Sequence, residues 1–263
     1  MTSPRFSLKG RRALVTGASS GIGRAVALGL FEQGADVILH HFGNETGARE
    51  VARVIGDDTP VLEADFTDQR AIATFADNVV NQYGPIDILI ANAAIERRLP
   101  WQEVDDAHID AHVAANFSAL LTLTGKLVPP MAKRGWGRVI ATGSIMATRP
   151  RAETVVYASL KAAQLTAVRA IARDVGHRGV TLNVVSPGAI QIEANAERYS
   201  DPEFLKAVTA KIPLGRQGQP EDLVGAFVFL CSDAASYITG ANIPVDGGWS
   251  VGDAPGTLPG ASG

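Results

Sequence analysis

A disulfide framework, a membrane span and a surplus of basic charge are all missing from this chain. Cys231 is the one cysteine among 263 residues, so neither an intrachain disulfide nor a cysteine-rich zinc site can form. Lys+Arg 24 against Asp+Glu 27 leaves a net charge of −3. That balance holds no excess to neutralise a phosphate backbone, so a nucleic-acid partner is not expected. Charged residues are only 19% of the chain, below the ~25% of an average domain, which leaves room for self-association. Residues 1–7 lack the apolar stretch of a secretory signal. No apolar run nears the ~18 residues of a membrane span. The expectation is a soluble, cytoplasmic protein in a reducing compartment, with no membrane partner.

What is present is 46% hydrophobic residues, which excludes global disorder. Short β-branched apolar runs at 13–16, 37–39, 60–62, 86–91, 138–142, 181–185 and 241–245 predict seven strands. Helical patterns fill 22–33, 46–55, 69–83, 109–133, 156–174 and 221–232. Gly34 and Gly84-Pro85 stand where helix C-termini favour glycine and then proline. Strands apolar throughout suit a sheet covered on both faces. The alternation therefore predicts an α/β fold: a single-domain, Rossmann-like, doubly wound parallel sheet with helices on both faces. No linker interrupts the chain before a Gly/Pro-rich tail at 252–263, so residues 1–263 are taken as one dinucleotide-binding catalytic domain. The stretch around 189–212 lacks strand signals and falls late, as a lid over a substrate would.

The first strand runs into Thr16-Gly17-Ala18-Ser19-Ser20-Gly21-Ile22-Gly23, and a helix follows. Gly17 permits a tight turn, Gly21 clears space for a pyrophosphate, and Gly23 lets the helix approach the sheet. The helix start offers free N–H groups and partial positive charge to phosphates. Farther along, Tyr157 and Lys161 lie four residues apart and share a helix face. A nearby ammonium and an oxidised nicotinamide would favour tyrosinate, making Tyr157 a general acid/base. Ser144 follows the fifth strand, at the carboxyl end that faces the ligand crevice. Asn116 sits inside a predicted helix, where asparagine needs a reason.

The glycine spacing resembles the short-chain dehydrogenase/reductase family, whose signature is Thr-Gly-x-x-x-Gly-x-Gly. Asn116, Ser144, Tyr157 and Lys161 match that family's catalytic tetrad in order, and the resemblance spans roughly residues 8–250. It implies that Ser144 polarises the substrate oxygen, that Lys161 tunes Tyr157 and holds the nicotinamide ribose, and that Asn116 interrupts its helix and holds a relay water. No metal is implied. It also implies cofactor contacts at Asp65 and Phe66 on the adenine side, at Asn92-Ala93, and at Pro187-Gly188 and Ile190 beside the nicotinamide. A threonine is frequent where this chain has Ile192. The cofactor is NADP or NAD. No acid stands at His40-His41 to hold a ribose 2′-OH, which leans the reading to NADP. Ser19, Ser20, His40 and His41 could bond a 2′-phosphate, or the histidines could be a solvated strand end.

For the substrate, the lid and Asn92-Ala93-Ala94-Ile95-Glu96 resemble bacterial glucose 1-dehydrogenases. Glu96, Met146, Arg149, Arg151 and Glu193 are candidate substrate residues. Arg149 and Arg151, with Arg97 and Arg98, suggest a polyhydroxylated substrate carrying an anionic group. The expected reaction moves a hydride between nicotinamide and a secondary alcohol or hemiacetal carbon of a sugar or polyol. A ketone or 3-oxoacyl reductase and a non-catalytic dinucleotide sensor remain alternatives. The family resemblance implies a homotetramer packed through the helices carrying Asn116 and Tyr157.

Overall fold

The computed structural model describes residues 4–251. The tail at 252–263 and the first three residues lie outside the described residues. In chain order the elements are β1 (Arg12–Val15), α1 (Gly21–Glu32), β2 (Asp36–His41), α2 (Glu45–Ile55), β3 (Val61–Glu63), α3 (Gln69–Tyr83) and β4 (Ile88–Ala91). Then come α4 (Asp106–Val113), α5 (Ala119–Arg134), β5 (Gly137–Thr142), α6 (Val155–Val175), β6 (Val180–Pro187), α7 (Ala196–Tyr199), α8 (Pro202–Thr209), α9 (Glu221–Cys231) and β7 (Asn242–Val245). All seven strands are parallel, in the order β3-β2-β1-β4-β5-β6-β7. The order reverses between β1 and β4, which opens a crevice beyond the carboxyl ends of the strands.

The sheet separates two apolar layers because successive strand residues point to opposite faces. Leu14, Ile38 and Leu89 pack toward α3, α5 and α6. Ala13, Val15, Val37, Leu39, Ile88 and Ile90 pack toward α1, α2 and α9. Each fully buried Leu, Ile or Val contributes about 1.5–3 kcal/mol, so strands apolar on both faces hold their register firmly.

Two details of the helices bear on function. The helical pattern at 109–133 is interrupted at Asn116, as the resemblance implied: Ala114–Ser118 forms a π turn between α4 and α5. Its cause is Asn116, whose side chain turns away to bond the loop after β4. The late stretch is helical, with α7 and α8 built over a small cluster of Ala189, Val208 and Ile212. This excursion is bracketed by a two-strand bridge in which Gln191 N donates to Gly218 O and Gly218 N to Ala189 O, both at 2.9 Å.

Candidate active site

The glycine turn is fixed from below. Asn92 Nδ2 donates to the carbonyls of Thr16 and Gly17, while the amides of Asn92 and Ala93 donate to Thr16 Oγ1. A Cβ on Gly23 would overlap the Gly17 carbonyl, so only glycine lets α1 start this close. Gly21 has φ +51, and a Cβ there would meet the Ile192 side chain at 3.1 Å. The turn therefore leaves a slot between α1 and the lid. Ser20 makes no side-chain cap, and the first N–H groups of a helix have no intrahelical partner. Unspent donors and partial positive charge at a glycine that adds no side chain of its own fit the diphosphate of a dinucleotide.

Four predicted cofactor residues, His40, His41, Asp65 and Phe66, have defined surroundings within the protein itself. His40 is 2% exposed, neither a solvated strand end nor a phosphate ligand. Its Nδ1 accepts from Gly17 N at 3.1 Å and its Nε2 donates to Ala64 O at 3.0 Å. Burial holds its pKa down at about 4, so the ring is neutral. Phe66 is buried and stacked on His40, with centroids 4.1 Å apart, so its ring cannot cover an adenine. Asp65 Oδ1 accepts from Thr67 N and Oγ1, a loop-stabilising turn. His41 is also buried, with Nδ1 lacking a hydrogen-bond partner and lying 4.0 Å from Glu63 Oε1.

The predicted tetrad converges. Ser144 follows β5, Tyr157 and Lys161 project from the first turns of α6, and Asn116 lies in the π turn. Ser144 Oγ accepts from Met146 N at 3.1 Å and lines the same cavity as Tyr157. Lys161 Nζ donates to Thr142 O at 2.6 Å and sits 5.4 Å from the Tyr157 ring centroid. Thr142 Oγ1 donates to Asn92 Oδ1 at 3.1 Å, so the lysine and the glycine turn share one hydrogen-bonded frame. Asn116 bonds Ile95 twice, accepting from its N and donating to its O, both at 2.8 Å. Its carbonyl accepts from Gln164 Nε2.

The electrostatics of the protein alone favour the phenol at Tyr157. Burial raises its pKa above the usual 10 and the Glu96 carboxylate raises it further, while the Ser144 side chain and the Arg98 guanidinium lower it. Burial pulls Lys161 down to about 8. Without the oxidised nicotinamide that the tyrosinate reading invokes, desolvation keeps Tyr157 a neutral proton donor.

Ser144 and Tyr157 open into a cavity of about 650 Å³. Ile22, Pro187, Gly188, Ile190 and Ile192 line its cofactor side; Glu96, Met146, Arg149 and Arg151 line its other walls. Glu193 does not line it. The turn capped by Asn195 places the Glu193 carboxylate 3.9 Å from where a Gly21 side chain would begin. Sequence reading missed Arg198, Tyr199, Phe204, Lys211 and Trp249, all lining residues. Trp101 borders a separate apolar depression of about 440 Å³ that shares Met146, Pro150 and Arg151 with the main cavity's wall.

Comparisons with known proteins agree with this arrangement. A family model described as enoyl-(acyl carrier protein) reductase matches residues 17–250. A 3-oxoacyl-[acyl-carrier-protein] reductase of Salmonella typhimurium is 36% identical over 92% of this chain and 98% of its own. Gluconate 5-dehydrogenase of Gluconobacter oxydans is 36% identical over 94% of this chain and 97% of its own. The structure of a gluconate 5-dehydrogenase from Burkholderia cenocepacia, in complex with NADP and tartrate, superposes with a TM-score of 0.86. It is 31% identical and covers 94% of this chain and 98% of its own. Matches above 30% identity over more than nine-tenths of the chain make it a member of the short-chain dehydrogenase/reductase family.

Proposed function

We propose that the protein is an NADP-dependent oxidoreductase that interconverts a secondary alcohol and a carbonyl in a small sugar acid or polyol. The observation that carries this reading is that Ser144 and Tyr157 line one cavity with Ile22, Pro187 and Gly188, with Lys161 Nζ held by Thr142 O behind the tyrosine ring. When bound, the nicotinamide supplies the hydride acceptor or donor. Ile22, Pro187, Gly188 and Ile190 would hold it, and the α1 start would hold its diphosphate. Tyr157 takes the hydroxyl proton during oxidation and returns it during reduction. Ser144 donates to the substrate oxygen and orients it. Lys161, held by Thr142 O, stabilises the phenolate as it forms. The sugar-acid assignment is supported by gluconate 5-dehydrogenases among the relatives and by NADP in a solved one.

A second reading, reduction of a 3-oxoacyl chain, is favoured by the apolar depression around Trp101 and Val155 beside the cavity wall and by the Salmonella relative. A pure dinucleotide sensor has no need of the Ser144–Tyr157–Lys161 cluster. Absorbance at 340 nm tests the proposal, with NADP+ or NAD+ and a panel of sugar acids, polyols and neutral sugars, and with NADPH or NADH and 3-oxoacyl thioesters. Turnover of 3-oxoacyl thioesters alone would favour the second reading; cofactor binding without any turnover would favour a sensor. The exposed apolar residues Ile109, Leu121 and Val155 on α4, α5 and α6 support a homotetramer. A monomeric mass at micromolar concentration would refute it.

A further inference from the structure

The chain carries a net −3, yet its cavity is lined by five cations and one carboxylate. Three of the cations come from loops and already have protein partners. Arg98 Nε and Nη2 both donate to Glu96 Oε1, at 2.8 and 2.6 Å. Arg149 Nη1 donates to Trp249 O at 2.6 Å. Arg151 Nη1 lies 4.0 Å from Glu153 Oε1. The remaining two, Arg198 on α7 and Lys211 after α8, ride on the lid, and among the described residues neither forms an ion pair.

Arg198 is held by its face rather than its edge. Its guanidinium lies over the Phe204 ring at 4.3 Å, and that ring is itself 5.3 Å from Tyr199. Stacking restrains the group while leaving its in-plane N–H donors uncommitted. A restrained planar fork suits two-point bonding to a carboxylate, and a flexible ammonium beside the same cavity adds charge without demanding geometry.

We infer that Arg198 and Lys211 form an anion-recognition pair, carried on the lid, that takes the carboxylate of the substrate while Ser144 and Tyr157 address its reacting hydroxyl. The inference rests on the dehydrogenase reading and narrows it to polyhydroxy acids. It also gives the lid a reason to be helical. The turn of α7 and the Phe204 ring hold Arg198 at the cavity wall, whereas the loop arginines named in the sequence spend their bonds on protein partners.

The test compares D-gluconate with its neutral counterpart D-glucitol, at saturating NADP+. In the unmodified enzyme the kcat/KM ratio favours the acid. In Arg198→Gln/Lys211→Gln that ratio falls ten- to a hundredfold through KM, and Arg198→Lys restores only part of it. An unchanged ratio overturns the inference. So does a matching rise in the KM for NADP+, which would place the pair on a cofactor phosphate instead. Calorimetric titration of D-gluconate into protein with NADP+ is run alongside. If the enzyme turns over neither compound, the dehydrogenase reading fails separately. The titration then decides: weaker binding by the double variant supports the pair, and equal or absent binding in both proteins overturns it.

Discussion

His40 Nδ1 accepts the backbone N–H of Gly17 at 3.1 Å, which ties the cofactor turn to the end of β2. Because Nε2 donates to Ala64 O, the ring is fixed as the neutral tautomer and braces the first and third strand ends at once. The buried brace occupies the strand end where the sequence offered either a 2′-phosphate partner or a solvated histidine.

The brace predicts an acid-sensitive fold. His40 has a pKa near 4 in the folded protein against 6.5 in the unfolded chain. The unfolded state binds the proton more tightly, so stability is full above about pH 6.5 and falls as pH drops toward 4. The loss from this group is at most about 3 kcal/mol. Urea unfolding at pH 7 and pH 4.5 measures it. His40→Asn should cost about 1–3 kcal/mol at pH 7 and flatten the slope between those pH values. An equally steep slope in the variant would assign the acid sensitivity elsewhere.

A second prediction concerns the proton donor. Glu96 raises the Tyr157 pKa, and Arg98 lowers it while bonded to Glu96. Glu96→Gln removes the carboxylate and leaves the guanidinium, so both changes favour the phenolate. The acidic limb of the kcat/KM profile for alcohol oxidation should move to lower pH by about one unit. Tyr157→Phe should abolish turnover while NADP+ still quenches protein fluorescence. An unmoved profile in Glu96→Gln would mean that Tyr157 is not the group being titrated.

The sheet was legible because a strand covered on both faces must be apolar throughout, as Val139-Ile140-Ala141 is. The clustering of Ser144, Tyr157 and Lys161 was legible only as a joint pattern: Tyr157 and Lys161 share a helix face and Ser144 follows the carboxyl end of β5. Asn116 in a helix signalled the π turn, although its partner Ile95 could not be read from the pattern. The role of His40 was hidden because its partners lie 23 and 24 residues away, on opposite sides in sequence. The lid helices were missed for another reason. Phe204, Val208 and Ile212 have helical spacing, but they belong to a satellite cluster rather than the main core. Without that fold, Arg198 and Lys211 look like ordinary surface charges.

The lid also predicts a change in cofactor affinity. The Glu193 carboxylate lies beside Gly21, where the diphosphate would approach. Glu193→Gln removes a like charge from that site. The dissociation constant for NADP+ should fall about two- to fivefold at low salt, with a smaller change at 0.5 M salt. Fluorescence titration measures both. Unchanged affinity at low salt would mean that the side chain swings clear before the cofactor binds.

The final prediction turns on Asn116. Its amide closes two 2.8 Å hydrogen bonds to Ile95, one as donor and one as acceptor. Asn116→Ala leaves the N–H and C=O of Ile95 unpaired in a half-buried position, at a cost of about 2–4 kcal/mol in unfolding free energy. Asn116→Asp keeps the acceptor but sets a carboxylate oxygen against the Ile95 carbonyl, so it should recover less than half of that loss. Because Glu96 follows Ile95 directly, release of the loop also frees the carboxylate that acts on Tyr157. The alanine variant should therefore show a blurred acidic limb as well as a lower urea midpoint. A lower midpoint with the pH profile intact would make Asn116 a structural brace alone, uncoupled from the proton donor.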